Sequence, residues 1–345
     1  MNAAPIPSSS RALALMINHH LGNFVVSLPF LDAIAAPFNQ PVDLVVDSRY
    51  ACLAQLLPHG GNVIPYRQHH RRNGKLRQAA DFATLIHRLK TAHYDVVFDV
   101  GGGIQSVTFT TLTFSRHRIG LETSRRSWMY TERLPPDSGT HVSDRFTPFM
   151  TRLGLPKAGR LRLKPPADAF ARLNGQLPEI LRAPGLRLAV MHGGAGYEFR
   201  QWPKERFAKT ADVLIAERGM GVVFIGAPGE QAFLDSLLGL MKHRDRAAHV
   251  IGELDVVLAL LDRAAILISN ESGPTHLAAT TDVPIVTIFG PSKESNWRPV
   301  REENLTILRG AACPPECRWG QCKHGLKCVM NVSVENVLTA TSRYL

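Results

Sequence analysis

Ile268-Ser269-Asn270-Glu271-Ser272-Gly273-Pro274-Thr275-His276-Leu277-Ala278-Ala279-Thr280 decides how this chain is read. The apolar run Ala264 to Ile268 before it has the character of a buried strand. A polar turn with Gly and Pro stops that run, and a short helix begins near Thr275. A second apolar strand, Pro284 to Phe289, follows and is closed by Gly290-Pro291-Ser292. A strand, a polar turn and a helix start together aim free backbone N–H groups and the positive end of a helix dipole at one point. In open α/β sheets such points lie at the carboxyl edge, where ligands bind.

The same rhythm extends outward in both directions. Strands are expected at Leu186–His192 and Gly221–Ile225, with helices at Lys204–Glu217, Glu230–Met241 and Leu254–Leu261. Toward the N-terminus, Arg11–Ile17, Val42–Val46 and Asp95–Val100 are strand-like. Asn23–Ala35, interrupted by Pro29, Arg49–Leu57 and Phe82–Ala92 are helix-like. Alternation of this kind implies βαβ units and parallel sheets. The 345 residues suffice for two domains. We expect a disordered leader at 1–10, a first domain at 11–165, a linker at 166–185 marked by Lys164-Pro165-Pro166, Pro178 and Pro184, and a second domain at 186–330. A terminal helix is expected within 331–345.

Composition narrows the function classes. The chain is 45% hydrophobic and 20% charged, as ordinary globular proteins are. It has no run of about 18 apolar residues that would span a membrane, and Arg11 precedes too short an apolar run for a secretory signal. This places the chain in the cytoplasm. The net charge of +11 points to an anionic partner. Two basic loops are expected, one at 59–80 with Arg67, His69, His70, Arg71, Arg72, Lys75 and Arg77, the other with Arg116, His117, Arg118, Arg125 and Arg126. No basic helix is interleaved with aromatics. A phosphorylated acceptor or an acidic membrane surface therefore ranks above nucleic acid, with a merely basic surface as the plain alternative.

Three turns at strand ends in the second half carry candidate ligand groups. In the first, Glu271 can accept from ribose hydroxyls, Ser272-Gly273-Pro274 offers the turn, and His276 can donate to a diphosphate; the plain alternatives are a Ser272 helix cap and a structural histidine. In the second, His192-Gly193-Gly194-Ala195-Gly196 permits close backbone approach. Its continuation reaches Arg200, which can grip a phosphate with two hydrogen bonds, and Trp202-Pro203, with Pro suited to the first helical turn. In the third, Ile225-Gly226-Ala227-Pro228-Gly229 leads to Glu230, either a binder of base or sugar hydroxyls or a helix-start carboxylate. In the first half, Gly22-Asn23 and Asp99-Val100-Gly101-Gly102-Gly103 form comparable turns. Cys313, Cys317, Cys322 and Cys328 cluster near the C-terminus. Four thiols there favour a structural zinc or iron over disulfides, or else reduced thiols packed in a loop.

The Ser272 to Ala279 block with Phe289-Gly290-Pro291-Ser292, Trp202-Pro203 with Phe207, and Gly226 with Glu230 resembles glycosyltransferase family nine, the ADP-heptose:lipopolysaccharide heptosyltransferases. The likeness runs from about Arg11 to Leu338. It implies two Rossmann-like domains facing a cleft (GT-B), an acceptor-binding N-terminal half and a nucleotide-sugar-binding C-terminal half. By position, Glu271, Ser272, Gly273 and His276 would contact nucleotide and diphosphate, and Glu230 the nucleoside. Arg200 stands where the family has a Lys that stabilises the leaving diphosphate. The cysteine segment resembles the tail of many heptosyltransferases and the iron-binding finger of those that modify autotransporters. The resemblance implies no cofactor for the chemistry, ADP-heptose as donor, and an acceptor that is either a phosphorylated lipopolysaccharide core at the inner membrane or a protein. One position departs from the family. Its first turn reads Gly-Asp, with Asp as general base, whereas this chain reads Gly22-Asn23, and an amide cannot take the proton. Three explanations stay open: His19, His20 or Asp99 takes the proton instead, transfer proceeds with slow deprotonation, or the chain only binds.

Overall fold

The computed structural model describes residues 5–18, 20–67, 75–313 and 322–345. The chain divides between Leu161 and Arg162 into two compact units. Each is built on a six-stranded, wholly parallel sheet.

The first sheet comprises β1 (Ala12–Met16), β2 (Val42–Asp47), β3 (Gly60–Tyr66), β4 (Val96–Asp99), β5 (His117–Leu121) and β6 (Glu132–Leu134), ordered β3-β2-β1-β4-β5-β6. The second comprises β7 (Leu188–His192), β8 (Gly221–Gly226), β9 (Ala247–Ile251), β10 (Ile266–Asn270), β11 (Ile285–Ile288) and β12 (Leu305–Leu308), ordered β12-β11-β10-β7-β8-β9. Both are the doubly wound Rossmann order. Its direction reverses between β1 and β4 in one unit and between β7 and β10 in the other, and a ligand crevice opens at such a reversal. The α/β class with two Rossmann-like units is therefore as the sequence implied.

Local chemistry explains the central strands. β1, β2, β7 and β10 are buried at every position, as strands covered on both faces of a parallel sheet are. The two aspartates buried in β2 accept hydrogen bonds, Asp43 from Asn62 N–H and Tyr94 Oη–H and Asp47 from Arg49 N–H. The second core gathers Trp202, Phe207, Phe224, Ile268, Ile288, Val329 and Val337. Burying one ring such as Phe207 contributes about 2–3 kcal/mol. Trp202 also donates its indole N–H to Val332 O at 2.8 Å, which satisfies its one polar atom. The C-terminal helix Val334–Thr341 starts with a capping box between Ser333 and Asn336.

Several expectations are revised. Residues 166–185 hold a helix, Ala167–Gln176, packed on the helix Leu254–Arg263. Its Arg172 reaches Asp168 at 3.1 Å and also pairs with Glu253 and Asp255, so this segment is bound into the second unit. The described part of the expected leader is tied down as well. Ser10 is buried, and Asn39 N–H donates to Ser8 O at 2.8 Å. The basic stretch at 59–80 contains β3 and the start of the helix Lys75–Thr91, with 68–74 outside the described residues. The second basic stretch contains β5. Pro29 does not end its helix, which runs from Leu21 to Ala33. Among the described residues no helix is long and apolar enough to cross a membrane.

Candidate functional site

At the carboxyl end of β10 the chain delivers Asn270, Glu271 and Ser272 in succession. Asn270 is wholly buried. Its Oδ1 accepts from Trp202 N–H at 3.0 Å, and its Nδ2 donates to Gly193 O at 2.8 Å. One amide side chain thus fastens the loop after β7 to the end of β10. A buried amide must find such partners, and its position in an otherwise apolar strand end was the signal in the sequence.

Ser272 precedes the helix Gly273–Ala278 but does not cap it with its side chain. Its Oγ lies 3.0 Å from His192 Nδ1 and 3.3 Å from Thr275 Oγ1. Thr275 is buried and donates to Asn270 O at 2.9 Å, while Ser269 Oγ stands 2.9 Å from it. Pro274 occupies the first helical turn, where a missing N–H costs nothing. His276 is buried, with Trp297 edge-on at 6.5 Å between ring centroids.

Glu230 bridges the turns after β7 and β8. Its Oε2 accepts from Ala227 N–H at 2.6 Å. A Cβ at Gly194 would stand 2.7 Å from Glu230 Oε1 and 3.2 Å from His192 Nε2, so a side chain there would push the Glu230 carboxylate aside. Burial pushes the His192 pKa down to about 4 against the opposing pull of Glu230. The imidazole is therefore neutral at neutral pH.

Arg200 arrives on the short turn Glu198–Arg200. Its Nη1 lies 3.5 Å from Glu271 Oε1, and the two side chains are 15% and 4% exposed. Burial lowers the arginine pKa and raises that of the carboxyl, and each partner opposes the other's shift. Arg309, which donates to Ser292 O, also holds the Glu271 carboxyl down. Ser292 lies beside that carboxyl and lowers its pKa too, yet neither Ser292 Oγ nor Glu271 Oε2 closes a hydrogen bond of good geometry. At Gly290 a Cβ would press on Val329 Cγ2 at 3.2 Å and stand 3.5 Å from Arg200 Cα, an ordinary contact, so this turn runs alongside the Arg200 backbone.

The structure thus brings Gly194, Glu230, Ser272, Gly273, Pro274 and His276 into one neighbourhood with Arg200 and Glu271, joined through the consecutive residues 270–272. His192, Asn270 and Arg309 complete this neighbourhood, although the sequence alone implies no role for them. Together these groups offer a cation, two carboxylates, a hydroxyl and a neutral imidazole, a set able to receive a polyhydroxylated diphosphate.

In the first unit, Gly22 and Asn23 lie in the first turn of the helix Leu21–Ala33. Asn23 Nδ2 is 3.5 Å from Asn18 Oδ1, and Asn23 Oδ1 is buried with no hydrogen-bond partner among the described residues. Of the substitutes for a base, Asp99 ends β4 and is 1% exposed. Its oxygens accept from Gly102 N–H and Tyr130 Oη–H, each at 2.8 Å. Burial pushes its pKa up to about 6. With both oxygens engaged, Asp99 is better placed to organise the glycine turn than to take a substrate proton. Arg145 braces the same turn, donating to Val100 O at 3.0 Å. His20 is exposed, and His19 lies outside the described residues.

The cysteine segment does not form the expected centre within the described residues. Burial raises the Cys328 thiol pKa, with Cys313 close enough to lower it, and Cys322 Sγ accepts from Leu326 N–H at 3.3 Å. No group of three His, Cys, Asp or Glu side chains able to hold a metal gathers among the described residues. Cys317 lies outside them.

Comparison with known proteins agrees with this architecture. Residues 82–326 match the family model for glycosyltransferase family 9 (heptosyltransferase). The lipooligosaccharide heptosyltransferase 2 of Haemophilus ducreyi is 28% identical over 47% of this chain and 49% of its own length. The lipopolysaccharide heptosyltransferase 3 of Escherichia coli is 22% identical over 79% of this chain and 80% of its own. The chain spans about half the length of the first curated relatives it matches, 49% and 56%. The solved structure of E. coli ADP-heptose lps heptosyltransferase II superposes with a TM-score of 0.79 over 96% of this chain and 98% of that one, at 16% identity, which shows the shared GT-B fold. The family match covers well over half of the sequence, and the chain belongs to glycosyltransferase family 9, the heptosyltransferase family.

Proposed function

We propose that this chain is an inverting glycosyltransferase that moves a heptose from ADP-heptose to a hydroxyl of a phosphorylated lipopolysaccharide core. The observation that carries this reading is the buried Arg200–Glu271 pair at 3.5 Å beside the Ser272 turn and Glu230. It sets a cation where a diphosphate can lie and carboxylates where hydroxyls can. An acceptor hydroxyl attacks the anomeric carbon and its proton passes to solvent water, while the bond from that carbon to the diphosphate oxygen breaks and ADP leaves with the electron pair. Arg200 and the donors at the helix start meet the charge that develops there, and preorganised donors of this kind give the largest catalytic gains. The relatives compared above, heptosyltransferases of lipooligosaccharide or lipopolysaccharide, support the donor and the core acceptor. The net charge of +11 suits a phosphorylated acceptor and peripheral contact with an inner membrane from the cytoplasmic side.

Asn23 favours a second reading, a chain that binds the sugar nucleotide without transferring it, since no carboxylate stands at this turn. Incubating the protein with ADP-heptose and heptose-free core, and following ADP release together with the mass of the core, separates the readings. ADP release with a heptose added to the core supports the proposal. Tight ADP-heptose binding with no product refutes it and leaves the binder. Transfer to a protein acceptor but not to the core identifies a protein heptosyltransferase.

A further inference from the structure

His192 joins the two carboxylate-bearing turns of the second unit. It closes β7, is 6% exposed, and sets Nδ1 3.0 Å from Ser272 Oγ. Its Nε2 borders the space above Gly194 that Glu230 Oε1 also borders. Burial disfavours the doubly protonated ring, so one ring proton must choose between two nitrogens. The Glu230 carboxylate on the Nε2 side selects Nε2–H, because the other tautomer turns a lone pair toward a negative oxygen.

Nδ1 then carries only a lone pair, and the hydrogen in the 3.0 Å contact must come from Ser272. A serine has one hydroxyl hydrogen. Thr275 does not change this count, since its own hydrogen goes to Asn270 O at 2.9 Å. Ser272 accepts no side-chain cap bond from its helix, and the residue is half-buried rather than closed off from ligand. A phosphate oxygen is also an acceptor and finds no hydrogen there. A hydroxyl does fit.

We infer that His192 is a positioning residue that fixes Ser272 as a hydrogen-bond acceptor, so that Ser272 receives a ribose or sugar hydroxyl of the ligand rather than a phosphate oxygen. The identity of the ligand rests on the nucleotide-sugar reading, whereas the proton placement stands without it. The diphosphate then falls to Arg200 and backbone N–H groups.

Two measurements on the full chain test this. In the first, protein labelled with 15N-histidine is followed by two-bond proton–nitrogen NMR from pH 8 to pH 5, with His192 assigned from its loss in His192→Gln or, should that variant not fold, from the signal that moves in Ser272→Ala. The expected spectrum shows Nε2 protonated and Nδ1 bare throughout, with Nδ1 shifting in Ser272→Ala. A protonated Nδ1, or a ring that titrates near the ordinary histidine value of about 6.5, overturns the inference. In the second, calorimetry measures pyrophosphate, ADP, 2′-deoxy-ADP, 3′-deoxy-ADP and ADP-heptose on wild type and Ser272→Ala. Pyrophosphate binding should be unchanged, and the ligand that supplies the hydroxyl should weaken about tenfold. If ADP weakens, the deoxy-ADP insensitive to Ser272→Ala marks the ribose position. If only ADP-heptose weakens, the sugar is the source. A tenfold loss of pyrophosphate in Ser272→Ala refutes the inference. If wild type binds none of the nucleotides, the nucleotide-sugar reading fails, and the NMR result still decides the role of His192.

Discussion

Replacing Arg200 with alanine removes the cation 3.5 Å from a carboxylate that is 4% exposed. At an effective dielectric of about 20, two unit charges at that distance attract by about 5 kcal/mol before desolvation is subtracted. Breaking one side of a buried pair typically costs about 3–5 kcal/mol, because the remaining charge is stranded. Arg309 still acts on Glu271, so we expect Arg200→Ala to lose about 2 kcal/mol of second-unit stability. The sign of its pH dependence follows from Glu271. Its carboxyl pKa is already raised by burial and rises further without Arg200, so the native state holds a proton that the unfolded chain has released. Stability then falls as pH rises through that window, and the deficit is larger at pH 8 than at pH 5. Urea unfolding followed by tryptophan fluorescence in a background with Trp128, Trp297 and Trp319 replaced by Phe leaves Trp202, which is 1% exposed in the second core, to read this unit. Glu271→Gln added to Arg200→Ala should recover most of the lost stability. It should not recover transfer, which we expect Arg200→Ala to lower about 100-fold or more. Equal stability of Arg200→Ala and wild type at both pH values, or a double variant no more stable than the single one, refutes the reasoning.

Three further outcomes are expected. The His192 pKa of about 4 lies below its unfolded value, so its contribution is whole above pH 6.5 and is lost as pH falls; between pH 7 and pH 4.5 wild type should lose about 2 kcal/mol more than His192→Gln in the same urea assay. Asp99 has the opposite sign. Its pKa of about 6 is above the unfolded value, so stability falls as pH rises from about 4 to 6, and hydrogen exchange of β4 amides should show Asp99→Asn without that decline, a difference of about 2–3 kcal/mol. Asn23→Asp should raise the transfer rate and add an acidic limb to its pH profile, and an unchanged rate would show that no proton is accepted at this turn.

The central strands were legible because parallel strands covered on both faces carry apolar runs, Ala12–Met16 in β1, Leu188–Met191 in β7 and Ile266–Ile268 in β10. The outer strands were not. β3 contains Gly60-Gly61 and Pro65, β9 begins Ala247-Ala248-His249, and β12 is half-buried at all positions. A strand at or near a sheet edge meets fewer packing demands, so its residues carry less of the pattern. The turns that hold Glu230, Glu271 and Ser272 were readable from their small residues and their place after strands. Their couplings were not, since His192 and Ser272 are 80 positions apart and meet only when β7 pairs with β10. The Pro-rich stretch at 166–185 misled because proline marks the start of a helix as readily as a linker. Pro166 stands at the start of one here.

The amide of Asn270 makes two loops a single mechanical piece, since Trp202 N–H and Gly193 O hang on opposite ends of one rigid plane. Anyone grafting the 193–202 segment from a relative, to alter which donor is accepted, must carry the matching residue of β10 along with it. Randomising the rim while leaving that amide in place preserves the frame on which every new side chain has to stand.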